Sequence, residues 1–182
     1  MTRVSCGCRT AGLALVLAGL VAGCGQQVAG APSQSGGADP SSSALASFDA
    51  CMLLSDAEIS ALGFMPETRR PTDLLGLVGC AYTADIYGPL RGLRVEKDDE
   101  TVADYQARSE NFDVFRKNEV NGRPGAAIEL VDDDIECAQI VNAGSGTVQV
   151  GWEFREAGAT DPCAEAMRVM KMIEPELPAV GS

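Results

Sequence analysis

Thr147-Val-Gln-Val-Gly-Trp-Glu-Phe154 alternates strictly, with Val148, Val150, Trp152 and Phe154 on one side of an extended chain and Thr147, Gln149, Gly151 and Glu153 on the other. Successive strand side chains point to opposite faces, so this run predicts a strand with one face on a core. Just downstream, Asp161-Pro-Cys163 opens a helix, with Asp161 as N-cap and Pro162 at the first helical position. Cys163, Ala166, Met167, Met170 and Ile173 recur at helical spacing, and Pro175 ends the run. A strand with an apolar side and an amphipathic helix to cover it are the start of a layered fold.

Working back towards the N-terminus, strands are expected at Ile135–Val141, Ala126–Val131 and Asp113–Val120, the last two joined by the turn signal Asn121-Gly122. Thr101-Val-Ala-Asp104 starts a helix whose apolar stripe is Val102 and Tyr105, with Phe112 continuing the packing past its end. Leu90–Glu96 and Val78–Thr83 are two further strands, and the Pro- and Arg-rich stretch Pro66–Pro71 reads as a loop. Ser55 with Glu58 forms a capping box for a helix that Gly63 stops. Helix, two strands, helix, four strands, helix predicts an α+β fold: a mostly antiparallel sheet with helices packed against it.

The N-terminus has a different character. Arg3 and Arg9 precede an apolar run, Ala11–Ala22, that is too short to span a bilayer and ends at Gly23-Cys24. Residues 1–23 are expected to be a signal peptide. Val21-Ala22-Gly23-Cys24 resembles a bacterial lipobox, so Cys24 is the expected lipidation site, and its acyl chains would anchor the chain to a membrane. Residues 24–46 are dominated by Gly, Ser, Pro and Gln and read as a flexible tether, leaving 47–182 as one globular domain. The net charge of −12, made more negative by removal of Arg3 and Arg9, opposes binding to nucleic acid.

Of seven cysteines, Cys6 and Cys8 belong to the signal and Cys24 to the lipid, leaving Cys51, Cys80, Cys137 and Cys163. An even set in an exported domain reads as two disulfides with three possible pairings. Cys51–Cys80 and Cys137–Cys163 are favoured, because each joins a helix-leading cysteine to a strand cysteine in the same half of the chain. Zinc is disfavoured by the lack of any C-x-x-C among these four and of any His, so no metal or other cofactor is expected.

Several of these segments together resemble a known family. Asp49-x-Cys51-x-Leu53-Leu54-x-x-x-Glu58-Ile59-x-x-Leu62-Gly63, Cys80-Ala-Tyr82, Asn121-Gly-Arg-Pro-Gly-Ala126, Cys137 and Asp161-Pro-Cys163 are similar, in this order, to an actinobacterial lipoprotein family designated domain of unknown function 3558. The likeness runs from about Asp49 to Pro178. It implies a cell-envelope lipoprotein and carries over no catalytic residue.

The residues themselves offer little chemistry. Without His there is no Ser-His or Cys-His arrangement. Lys97, Lys117 and Lys171 have no Ser at a recognisable catalytic spacing. The acids Asp98-Asp-Glu100 and Asp132-Asp-Asp134 with Glu136 read as solvated turns, since neither glycosidase geometry nor a calcium-loop pattern is present. Gly144-Ser-Gly146 reads as a hairpin turn, and Arg69-Arg70 and Arg116-Lys117 as surface pairs. Trp152, Phe154, Tyr82 and Tyr87 read first as sheet core and second as a ligand groove. The expectation is a non-enzymatic, membrane-anchored module that binds an envelope protein or a small apolar ligand. The alternatives are a carboxylate-based hydrolase and a passive surface lipoprotein.

Overall fold

The alternating stretch forms a strand at the centre of a seven-stranded sheet. The computed structural model describes residues 40–85, 91–130, 136–154 and 161–181. The stretch read as a signal peptide, Cys24, Tyr87 and Asp132–Asp134 lie outside them. In chain order the described strands are β1 (Arg70–Leu74), β2 (Leu77–Thr83), β3 (Arg91–Asp98), β4 (Phe112–Val120), β5 (Arg123–Leu130), β6 (Glu136–Ala143) and β7 (Gly146–Phe154). The helices are α1 (Pro40–Ser47), α2 (Asp56–Ala61), α3 (Val102–Ala107) and α4 (Pro162–Ile173). The strands lie side by side as β1-β2-β3-β7-β6-β5-β4, each antiparallel to its neighbours. The α+β class is the one the sequence predicts.

The expected caps are present. Ser55 and Glu58 bond reciprocally at the start of α2, Thr101 and Asp104 do so at α3, and Asp161 accepts from the Cys163 amide at α4. Asn121 and Gly122, at φ 50° and 89°, turn β4 into β5 in the left-handed region that a two-residue hairpin loop requires.

Two elements depart from the sequence reading. β1 occupies part of the stretch read as loop. Pro71 cannot donate to a ladder, so it is confined to edge strands, and β1 is an edge strand bonded to β2 alone. The second is α1, which falls within the stretch read as tether. Leu45 on α1 is 1% exposed and joins the core, and Lys97 Nζ donates to the carbonyls of Leu45, Ala46 and Phe48 at 2.9, 2.8 and 2.7 Å. An ammonium at a helix C-terminus satisfies acceptors that lack intrahelical partners. One leucine in a Ser- and Ala-rich run gives no period by which to see this from sequence.

The first face of the sheet carries the main core. Tyr82, Leu93, Val95, Val148, Val150 and Trp152 pack against Ile59 and Leu62 of the α2 segment and Ala166, Val169, Met170 and Ile173 of α4. Each such large side chain contributes roughly 1.5–3 kcal/mol by leaving water. The disulfides are Cys51–Cys80 and Cys137–Cys163, the favoured pairing; the second ties the start of α4 to β6.

The second face holds a smaller core, where Val102 and Tyr105 of α3 pack on Ala126, Ile128 and Ile140. The Asn142 side chain fixes the start of α3 by accepting from the Val102 amide at 2.9 Å. The polar half of β7 is therefore not a solvent face, as simple alternation suggests. Thr147 and Gln149 are buried there.

Candidate ligand-binding site

The second face is where the strand register brings polar residues together. Arg94 of β3 lies opposite Gly151 of β7, Glu96 lies opposite Gln149, and Glu153 of β7 lies opposite Glu136 of β6. Gly151 decides what can happen between them. A Cβ there would come within 3.0 Å of Glu136 Oε1 and 3.5 Å of Arg94 Nη2, so the missing side chain leaves the lane through which Arg94 reaches across β7. Arg94 Nη2 donates to Glu136 Oε1, and its Nε stands 3.5 Å from Glu96 Oε2.

Glu96 is 1% exposed, yet its carboxylate is well served. Gln149 Nε2 donates to Oε2 at 2.9 Å and Thr72 Oγ1 to Oε1 at 3.1 Å. Burying a charge without such partners would cost several kcal/mol. Arg94, Glu136, Glu96, Gln149 and Thr72 form a fixed polar floor.

Above that floor is a hollow of about 120 Å³, with Arg94, Glu136 and Gln149 beneath and Leu77, Tyr105, Phe112 and Ile128 as apolar walls. Leu77 and Tyr105 also border a wider, more open hollow of about 390 Å³, whose other sides are Leu75, Asp98, Glu100 and Arg108. The inner hollow and this vestibule share Leu77 and Tyr105 as walls, and together they are called the cleft between the β1–β2 hairpin and α3.

Tyr105 stands at the junction. Its ring stacks on Phe112 with centroids 6.1 Å apart, and its hydroxyl donates to Asp98 Oδ2 at 2.6 Å. Burial, and then the Asp98 carboxylate, push the phenol pKa far up, so Tyr105 stays a neutral donor. Arg108 pairs with both oxygens of Glu100, and its guanidinium carbon sits 4.9 Å from the Tyr105 ring centroid. At the outer lip, Leu75 is 97% exposed at φ 55°, a costly backbone state for a leucine. Leu75 and Gly76 (φ 91°) together make the mirror-image turn of the hairpin.

The residues singled out from sequence fall elsewhere. Trp152, Phe154 and Tyr82 are brought together, but as core on the first face. Trp152 meets Phe64 edge-on at 5.0 Å and Phe154 at 5.9 Å, under α4. Their place in the core under the helices is the first of the two uses read from the sequence. Lys97 holds α1, and Lys117 donates to Gln106 Oε1 at 3.0 Å. Arg69 donates to Leu54 O at 3.2 Å and Asp56 Oδ1 at 2.6 Å, and lies over the Tyr82 ring at 5.8 Å. Glu136 pairs with Arg94, and Asp98 and Glu100 border the cleft mouth and are not a plain solvated turn. Glu129, Cys137 and Cys163 converge within 4.8 Å, but the two sulfurs are joined to each other and offer no thiolate to a metal.

The sequence reading missed Arg94, Glu96, Gln149 and Tyr105 as a set. A signal was present: the polar halves of two strands that prove to be neighbours, together with an apolar helical stripe at Val102 and Tyr105 that needs a second sheet face to cover.

A family model described as a protein of unknown function (DUF3558) matches residues 19–176. No curated protein and no solved structure matches the chain.

Proposed function

Because the chain belongs to the DUF3558 family of proteins of unknown function, we propose a role from its own geometry: a lipid-anchored, extracytoplasmic binding module that holds a small, partly apolar molecule in the cleft between α3 and the β1–β2 hairpin. The observation that carries this reading is the inner hollow, where polar floor groups satisfy one another and leave space walled by Leu77, Tyr105, Phe112 and Ile128. Small-molecule sites are concave and mostly apolar, with a few placed polar groups. The module acts by binding, not turnover: the carboxylates nearest the hollow, Glu96 and Glu136, are engaged by Arg94, Thr72 and Gln149.

The address rests on the N-terminal pattern and the cysteines. The family match begins at residue 19 and so takes in Cys24, and two disulfides suit an oxidising compartment. As part of the same proposal, the chain is read as kin to actinobacterial lipoproteins such as the mycobacterial LprB and LprC.

The test is a native mass spectrum of the protein as its host exports it, compared with the denatured mass. A discrete extra mass released on denaturation, and lost from an Ala138→Phe variant that fills the hollow, supports the carrier reading. A bare native mass that stays bare after incubation with envelope extract sinks it.

A further inference from the structure

The two levels of the cleft share one charge arrangement. In the inner hollow a single guanidinium, Arg94, lies between two carboxylates, Glu96 and Glu136. In the vestibule a single guanidinium, Arg108, is bound by Glu100, and the second carboxylate is Asp98.

Each guanidinium is thus already held by a carboxylate. Among the described residues carboxylates outnumber guanidiniums at both depths, so an incoming anion meets like charge, which repels strongly in a partly dry site. A cation meets the opposite field. The aromatic walls add to this, since Tyr105 and Phe112 present rings whose faces attract positive charge. Arg108 over the Tyr105 ring is one such contact made by the protein itself. Size sets the other limit. An apolar cavity of roughly 150 Å³ accommodates one benzene, and the inner hollow is about 120 Å³.

Resting on the cleft being the binding site, we infer that its ligand is an organic cation: a compact apolar body about one ring in size bearing an ammonium or amidinium group. The body occupies the space between Leu77, Phe112 and Ile128. The positive group lies against the Glu136 or the Asp98 level, according to the length of its link to the body.

Three probes of one size and different charge test this on the exported full-length protein: benzylammonium, benzyl alcohol and benzoate, each titrated while the backbone NMR signals of Leu77, Tyr105, Ala138 and Gln149 are followed. The expected result is saturable shifts at these positions with benzylammonium, about tenfold or more tighter than with benzyl alcohol, and none with benzoate; that tenfold corresponds to about 1.4 kcal/mol. Glu136→Gln and, independently, Asp98→Asn, whose amide oxygen still accepts from Tyr105, should each weaken benzylammonium binding by a larger factor than benzyl alcohol binding. Equal binding of all three probes, or tightest binding of benzoate, overturns the cation inference and leaves the carrier reading standing. No shift at these positions with any probe also overturns the cation inference, while the carrier reading falls only if the native mass is bare as well.

Discussion

Arg123 Nε donates to Glu174 Oε1 across 2.7 Å, joining the first residue of β5 to the residue that follows α4. The same guanidinium donates from Nη1 to the carbonyls of Asn142 and Pro178 at 2.9 and 2.7 Å, so one side chain holds the C-terminal tail to the sheet. The hydrogen bond from Arg123 is the main reason that the Glu174 carboxyl lies below its usual pKa. A group whose folded pKa is depressed contributes stability above its unfolded value and loses that contribution as pH falls through the folded value. Glu174→Gln should therefore cost about 1–2 kcal/mol at neutral pH. Urea midpoints of the two proteins should converge as pH drops below the 4.5 of an unperturbed glutamate. A gap that persists undiminished in acid would mean the ion pair is not its source.

At Gly151 the expected outcome is graded. Ala brings a Cβ within 3.0 Å of Glu136 Oε1, the mobile end of a side chain, and should cost under about 1 kcal/mol. Val blocks the lane used by Arg94 and should cost about 2 kcal/mol, with loss of whatever the cleft binds. Equal urea midpoints for the two variants would contradict the crossing geometry.

The disulfides close spans of 29 and 26 residues, and a cross-link of that reach stabilises by about 3.5 kcal/mol in the chain-entropy account. Paired Cys→Ala variants of either bridge should lose similar amounts by urea unfolding. Only the Cys137–Cys163 pair should also raise hydrogen exchange at the start of α4, because it alone fastens that helix to β6.

Lys97→Met should free α1 without unfolding the sheet. Limited proteolysis would then cut near residues 40–48, where the parent protein resists. Leu45→Ala should produce the same cleavage and cost about 2–4 kcal/mol, since it empties a core position. Resistance in both variants would place the anchorage of α1 elsewhere.

Cys24→Ala should abolish incorporation of labelled palmitate and release the protein into the medium. Continued labelling would refute the lipobox reading.

The main layer of the fold was open to sequence reasoning because its signals are local. The alternation of β7, the caps at Ser55, Thr101 and Asp161, and the Asn121-Gly122 turn each occupy a few consecutive residues. β1 and α1 were hidden for the opposite reason: Pro71 and a lone Leu45 are made structural by partners distant in the chain, namely β2 and Lys97. The cleft was hidden more deeply still. Arg94 and Glu96 read as the solvated half of a strand until β7 lies beside β3, a pairing of strands separated by three others in the chain. Tyr82, Trp152 and Phe154 were legible as sheet core, but a large apolar ring signals burial without saying whether helix or ligand covers it.

The grip of Lys97 on α1 has a mechanical side. For a domain held to a surface by its N-terminus, a pull on the chain ahead of Pro40 loads that one ammonium and the seat of Leu45 first. Once they yield, the chain pays out only as far as Cys51, where the covalent link to Cys80 passes the load into β2. Drawn straight the stretch spans on the order of 37 Å, of which α1 already covers about 12 Å, so the slack released is on the order of 25 Å. On the proposed tether, α1 would be an extensible link that ends at a covalent stop, so that load reaches β2 only after the helix has let go.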